Sequence, residues 1–216
     1  VPNVSSVLTT NRLRLSPLTS ADLPGVHAIF ADPTTWLHLP SGRHTTVLQT
    51  DRLLSESERS WAASGLGRWA VRLREPLLGT VLAADALIGL ASATLMDCGA
   101  RNLGYRFTPA SWGAGLATEA AAAVLDVARV GVLPVTARAL RGNPASVRVL
   151  ERIGLTEVWS GNGGGDHGIH GDSYRDRDSD GDDRHPAQPD TANLGRVIFA
   201  DRALSAHTLA ALIALG

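Results

Sequence analysis

The chain has 216 residues and a formal net charge of −1, a length that suits one α/β domain with a sizeable core rather than two independent ones. Cys98 is its single cysteine, which excludes an intrachain disulfide and suits a reducing, cytoplasmic setting. A membrane segment or export signal is not expected, because no apolar run reaches about 18 residues and residues 1–10 lack the basic-then-apolar layout of a leader. Every basic residue is arginine, and residues 161–190 carry eight Asp and three Arg, leaving the remainder mildly basic at +4. That balance suits a phosphorylated small ligand and is too dispersed for a nucleic-acid footprint.

In chain order, residues 12–16 alternate polar and apolar and predict a strand; Thr19 and Asp22 then supply cap chemistry for a helix to Asp32. Residues 45–64 place Val47, Leu48, Leu53, Leu54 and Trp61 on roughly one helical face, closed by Gly65 and Gly67. Residues 68–73 alternate again and residues 86–95 form an apolar run of strand length, which predicts two adjacent antiparallel strands. A strand over 102–107 is stopped by Pro109, and an alanine-rich helix follows over 115–129. Residues 134–140 predict a strand, and Asn143-Pro144 opens a helix that ends at Gly154. Strands over 155–160 and 196–200 and a helix over 205–215 complete the set. Residues 161–193 lack the aliphatic residues needed to offset ordering and predict a mobile loop within a single domain. No internal repeat supports a solenoid.

The informative segment joins strand 102–107 to the next helix. In Ser111-Trp-Gly-Ala-Gly-Leu-Ala-Thr-Glu-Ala120, two glycines fall where a strand-to-helix turn exposes successive N–H groups and the helix adds its positive dipole end. This pattern suits either an anion seat, to which Thr118 could add a hydroxyl, or a tight turn for strand–helix packing. It is neither a Walker A loop nor a complete dinucleotide fingerprint.

Three blocks stand in order: Asn102-Leu-Gly-Tyr-Arg-Phe-Thr-Pro109, Trp112-Gly-Ala-Gly-Leu-Ala-Thr-Glu-Ala120, and Asn143-Pro-Ala-Ser146-Val-Arg-Val-Leu-Glu-Arg-Ile-Gly-Leu155. The triple resembles the GNAT acetyltransferases, and more narrowly the branch that includes the ribosomal-protein N-terminal acetyltransferases. The similarity extends over residues 11–201, with Trp112 where the broader family often has Gln or Arg. The resemblance implies an α/β fold with a splayed, mostly antiparallel central sheet flanked by helices. It implies acetyl transfer from acetyl-CoA to a primary amine, a protein N-terminus or a small molecule, by direct attack.

On the same resemblance, the backbone of Tyr105, Arg106 and Phe107 pairs with the pantetheine arm. The segment Trp112, Gly113, Ala114, Gly115, Leu116, Ala117 and Thr118 holds the pyrophosphate. Asn143 either caps its own helix or contacts pantetheine, and Ser146 either caps or protonates the leaving thiolate. The general base is unassigned among His27, His38, His44 and Asp85. Glu119 suits packing or the helix dipole, and Trp36, Trp61 and Trp69 suit the core better than an acceptor pocket. The Asp176–Gly181 run copies half a calcium loop, but Ala187 stands where a bidentate Glu is needed, and His167, His170 and His185 fit no zinc spacing. No metal is therefore expected. A homodimer is left open. The rival class is a non-catalytic acyl-CoA sensor, and a weaker one a calcium-organised interaction protein.

Overall fold

Alternation of apolar and polar residues builds the sheet strand by strand. In β2 (Leu13–Pro17), Leu13 and Leu15 are fully buried while Arg14 between them is exposed. β3 (Arg68–Leu73) and β4 (Leu87–Met96) are largely buried on both faces, as the apolar run of β4 requires. The structure is a computed structural model and describes residues 6–162 and 195–215. Its further strands are β1 (Leu8–Thr9), β5 (Ala100–Phe107), β6 (Val135–Leu140), β7 (Thr156–Asn162) and β8 (Gly195–Ala200). Among the described residues the α-helices are α1 (Leu23–Ala31), α2 (Val47–Ser64), α3 (Leu116–Ala128), α4 (Pro144–Arg152) and α5 (Ala206–Ala214).

The eight strands form one open sheet in the order β1-β2-β3-β4-β5-β6-β8-β7. Every neighbouring pair is antiparallel except β5 and β6, which α3 links by a crossover. This is the α/β class with a mostly antiparallel sheet that the sequence predicts. α3 and α4 pack on one face, where Leu116, Val124, Leu125 and Leu150 join Ala91, Leu103 and Ala137 in the larger core. α1 and the first half of α2 cover the other face through Val26, Ile29, Phe30 and Leu54, against Ala70 and Leu90. Each large aliphatic side chain so buried contributes about 2 kcal/mol before ordering costs.

One irregularity resets which face β4 presents. The register against β3 runs Val71↔Gly89 and then Arg72↔Leu87, so Ile88 is an extra residue. A Cβ at Gly89 would lie 2.6 Å from the Arg106 carbonyl oxygen, so only glycine lets β5 come this close. β7 runs to Asn162, two residues beyond the predicted end, because Gly161 and Asn162 pair with Arg196 and Gly195. Of the loop predicted over residues 161–193, the part from 163 on, with its calcium-like run and His167, His170 and His185, lies outside the described residues. Among the described residues, no helix is long and apolar enough to cross a membrane, and no group of three His, Cys, Asp or Glu could hold a metal ion.

Candidate active site

β5 pairs with β4 along its whole length, from Met96↔Ala100 to Gly89↔Phe107, yet meets β6 only at Arg101↔Val135 and Asn102↔Thr136. Beyond Asn102 the two parallel strands part, and the sheet splays. The Arg101 N–H donates to the Pro134 carbonyl at 2.8 Å and the Thr108 N–H donates to Ile88 on the other side at 2.9 Å. Strand alternation therefore turns the main-chain groups of Leu103, Tyr105 and Phe107 toward the opening, and those of Gly104 and Arg106 toward β4. Arg106 enters the site by its side chain, which donates to the Thr35 carbonyl and lies over the Trp36 ring at 3.2 Å from the centroid. Burial pushes this guanidinium down to about 9, which leaves it cationic at neutral pH.

At the C-terminal end of β5 the chain turns through residues 108–115 into α3. Trp112 is half exposed, and its indole N–H donates back to the Phe107 carbonyl at 3.0 Å, fixing the turn to the strand. Gly113 and Gly115 adopt φ of 77° and 75°, a conformation that costs other residues about 1–2 kcal/mol. A Cβ at Gly113 would meet nothing within 4 Å, so backbone conformation rather than crowding requires glycine there. The first main-chain bond into α3 is Glu119 N–H to Gly115 carbonyl, and among the described residues no protein group accepts from the amides of Gly113 to Thr118. Six consecutive N–H groups at the positive end of a helix of 13 residues form a seat for an anion.

Arg12 and Glu119 tie this loop to the first strands. Glu119 accepts from Thr10 Oγ1 at 2.6 Å, from the Arg12 N–H at 2.9 Å and from Arg12 Nε at 2.7 Å, while Arg12 Nη1 donates to the Ala114 carbonyl at 2.8 Å. Burial alone would raise the Glu119 pKa, but the bonds from Thr10 and Arg12 outweigh it and hold the carboxyl below its usual range. Glu119 thus ties the N-terminal segment to α3, a role beyond packing or the helix dipole. Arg12 was not singled out by its sequence pattern, in which it reads as one alternating strand residue.

α4 begins across the splay. Asn143 Oδ1 accepts from the Ser146 N–H at 3.1 Å, so the capping role is realised. Ser146 Oγ lies 2.9 Å from the Tyr105 hydroxyl, which is also 3.1 Å from the Ser146 carbonyl. Burial pushes the Tyr105 phenol up to about 12, partly offset by its bond to Ser146, so it stays protonated. The fold therefore brings Tyr105 and Ser146 into contact, 41 residues apart in sequence.

Between β5, β6, α1 and α2 lies a cavity of about 460 Å³. Asn143, Ser146, Tyr105 and Arg106 line it, as does Trp36, which is buried but also faces this space. Of the proton acceptors expected from the sequence, His38 and His44 reach the cavity, and Glu56, not anticipated, joins them. His27 shares the Thr50 hydroxyl with His44, at 2.8 and 2.9 Å, but does not line the cavity. Asp85 is exposed and paired with Arg14, away from the site. Trp61 and Trp69 pack edge to face at 4.7 Å, in the core.

This arrangement, a sheet that opens beside a glycine-turned helix N-terminus, defines an acyltransferase of the GNAT class. Residues 12–156 match the family model for the acetyltransferase (GNAT) domain, and the chain belongs to that family. Solved structures agree in fold. A GNAT-family acetyltransferase from Bacillus anthracis is 19% identical, with 90% of this chain and 96% of that one covered at a TM-score of 0.61. An acetyltransferase from Agrobacterium tumefaciens str. C58 is 21% identical, covering 91% and 94% at 0.61. The ribosomal L7/L12 α-N-protein acetyltransferase RimL, solved with coenzyme A, is 14% identical, covering 90% and 96% at 0.63.

Proposed function

We propose that the chain transfers an acetyl group from acetyl-CoA to a primary amine, with the cosubstrate entering the splay between β5 and β6. The observation that carries this reading is the run of amides from Gly113 to Thr118, unengaged among the described residues, beside the open edge of β5. Those amides suit the pyrophosphate, with Trp112 and Thr118 at the two ends of the seat. The outward main-chain groups of Leu103, Tyr105 and Phe107 suit the pantetheine arm as an added strand, and one N–H there can receive the charge that develops on the thioester oxygen. Complexes of RimL with coenzyme A and of the microcin C7 self-immunity acetyltransferase with acetyl-CoA, on the same fold, support the choice of donor.

The reaction follows from the groups at hand. The amine lone pair attacks the thioester carbon, the carbon–sulfur bond breaks, and the amine proton leaves to a base drawn from Glu56, His38 and His44. Ser146, bonded to Tyr105, supplies a proton to the departing thiolate. The acceptor is a peptide N-terminus or a small-molecule amine. Calorimetric binding of acetyl-CoA, with thiol release measured against a panel of amines, tests the proposal: saturable binding and release are expected, and no binding at millimolar ligand would refute it.

A further inference from the structure

One peptide unit of the glycine turn, between Ala114 and Gly115, is gripped from outside the turn. Arg12 Nη1 donates to the Ala114 carbonyl at 2.8 Å, across 102 residues of chain. In a trans peptide the C=O and N–H point in opposite directions, so a donor fixed on that carbonyl turns the Gly115 N–H away from Arg12. Such a hold matters because Gly115 follows: its φ is 75°, and glycine takes either sign of φ about as readily, which lets the unit flip. Arg12 also occupies the carbonyl that would otherwise accept from the Thr118 N–H. Among the described residues, the first main-chain bond into α3 comes one residue later, from Glu119 to Gly115.

Arg12 is itself fixed. Its Nε donates to Glu119 Oε2 at 2.7 Å and its N–H to Oε1 at 2.9 Å, and Thr10 Oγ1 donates to the same Oε1 at 2.6 Å. Joining the N-terminal segment to α3 needs only these bonds to Glu119. The bond to Ala114 is additional, and it comes from the same planar guanidinium, a fork that an ammonium lacks. A cation on the carbonyl also polarises the peptide and strengthens its N–H as a donor. We propose that Arg12 is a positioning residue for the cosubstrate: through the Ala114 carbonyl it holds the Gly115 N–H toward the pyrophosphate, without touching the ligand, and leaves the Thr118 N–H free to join it. This inference rests on the acetyl-CoA reading and adds to it a residue, just before β2, that sets the affinity. In the flipped unit a carbonyl oxygen faces the phosphates, so only the held orientation binds. If that orientation falls to about one tenth of the population, affinity falls about tenfold.

Calorimetric titration of acetyl-CoA into the wild type, Arg12→Gln and Arg12→Lys, with a thermal melt of each, tests this and needs no acceptor. Arg12→Gln should bind about tenfold more weakly. Arg12→Lys keeps a cation beside Glu119, so its melting temperature should stay near that of the wild type. Its acetyl-CoA affinity should still fall about fivefold, because one ammonium does not supply both bonds of the fork. That split separates positioning from a purely structural role, and it carries the test if Arg12→Gln fails to fold. Affinity unchanged in both variants would overturn the proposal. So would affinity that is lost in Arg12→Gln and fully restored, together with the melting temperature, in Arg12→Lys. Amide NMR of the wild type keeps the underlying reading separate: acetyl-CoA should move the Gly115 resonance downfield. Binding that leaves the amides of Gly113 to Thr118 unmoved would overturn the pyrophosphate seat itself, and no binding at all the acetyltransferase reading, so the failures are told apart.

Discussion

At the scale of single residues, the proposed site rests on two hydroxyls and one carboxylate. Ser146 Oγ and the Tyr105 hydroxyl are 2.9 Å apart, and the Tyr105 phenol is held protonated. Ser146→Ala is expected to lower kcat about 10²-fold while leaving the KM for acetyl-CoA nearly unchanged, since in the proposed mechanism it removes a proton donor rather than a binding group. Steady-state kinetics decide this, and an unchanged kcat would remove Ser146 from the mechanism. Glu119 is different, because it acts on stability. Its folded pKa lies below the ordinary value of 4.5, so its contribution is complete above pH 4.5 and is lost as pH falls through the lower folded value. Glu119→Gln should cost about 2 kcal/mol at pH 7, from three charge-assisted hydrogen bonds, and the two proteins should converge below pH 4.5. Thermal melts from pH 7 to 3 measure the gap, and a gap that stays constant would show that the carboxylate charge is not the cause.

At the scale of elements, α4 links local structure to chemistry. Its first turn is set by the Asn143 cap and carries Ser146, so Asn143→Ala should cost about 1 kcal/mol and should lower kcat by loosening the Ser146–Tyr105 contact. Urea unfolding and kcat measured on the same variant check both halves; a stability loss with normal kcat would make the cap purely structural. The elements themselves were legible because periodicity and capping are local signals: residues 68–73, 134–140 and 143–154 all fold as their patterns predict, within a residue or two at the ends. The glycines at 113 and 115 were legible for the same reason. Less visible were β1, whose two residues are held by Leu15 and Arg14 across the ladder, and the placement of β8 between β6 and β7, which depends on pairing across the acidic segment.

At the scale of the whole molecule, the site exists because the sheet opens between β5 and β6, with the anion seat on one side and an arginine-lined cavity on the other. The strand, glycine turn and helix start of the first half could be read from the ordered triple of motifs. The second could not: Arg52, Arg68 and Arg138 are each unremarkable polar residues of a helix or strand, and Arg106, expected through its backbone, enters by its side chain instead. Glu56 and Arg12 escaped notice in the same way. The positive φ of Gly115, whose Cβ would lie 3.7 Å from Arg12 Nη2, makes the seat open to a direct probe, since a large side chain there fills the space before the amides. The most direct measurement is calorimetric titration of acetyl-CoA into the wild-type protein and into Gly115→Trp, with the fold of each checked by circular dichroism. Saturable binding by the wild type and at least about tenfold weaker binding by the folded variant are predicted. Equal affinity would contradict the placement of the pyrophosphate at Gly113 to Thr118, and no binding to either would contradict acetyl-CoA as the donor.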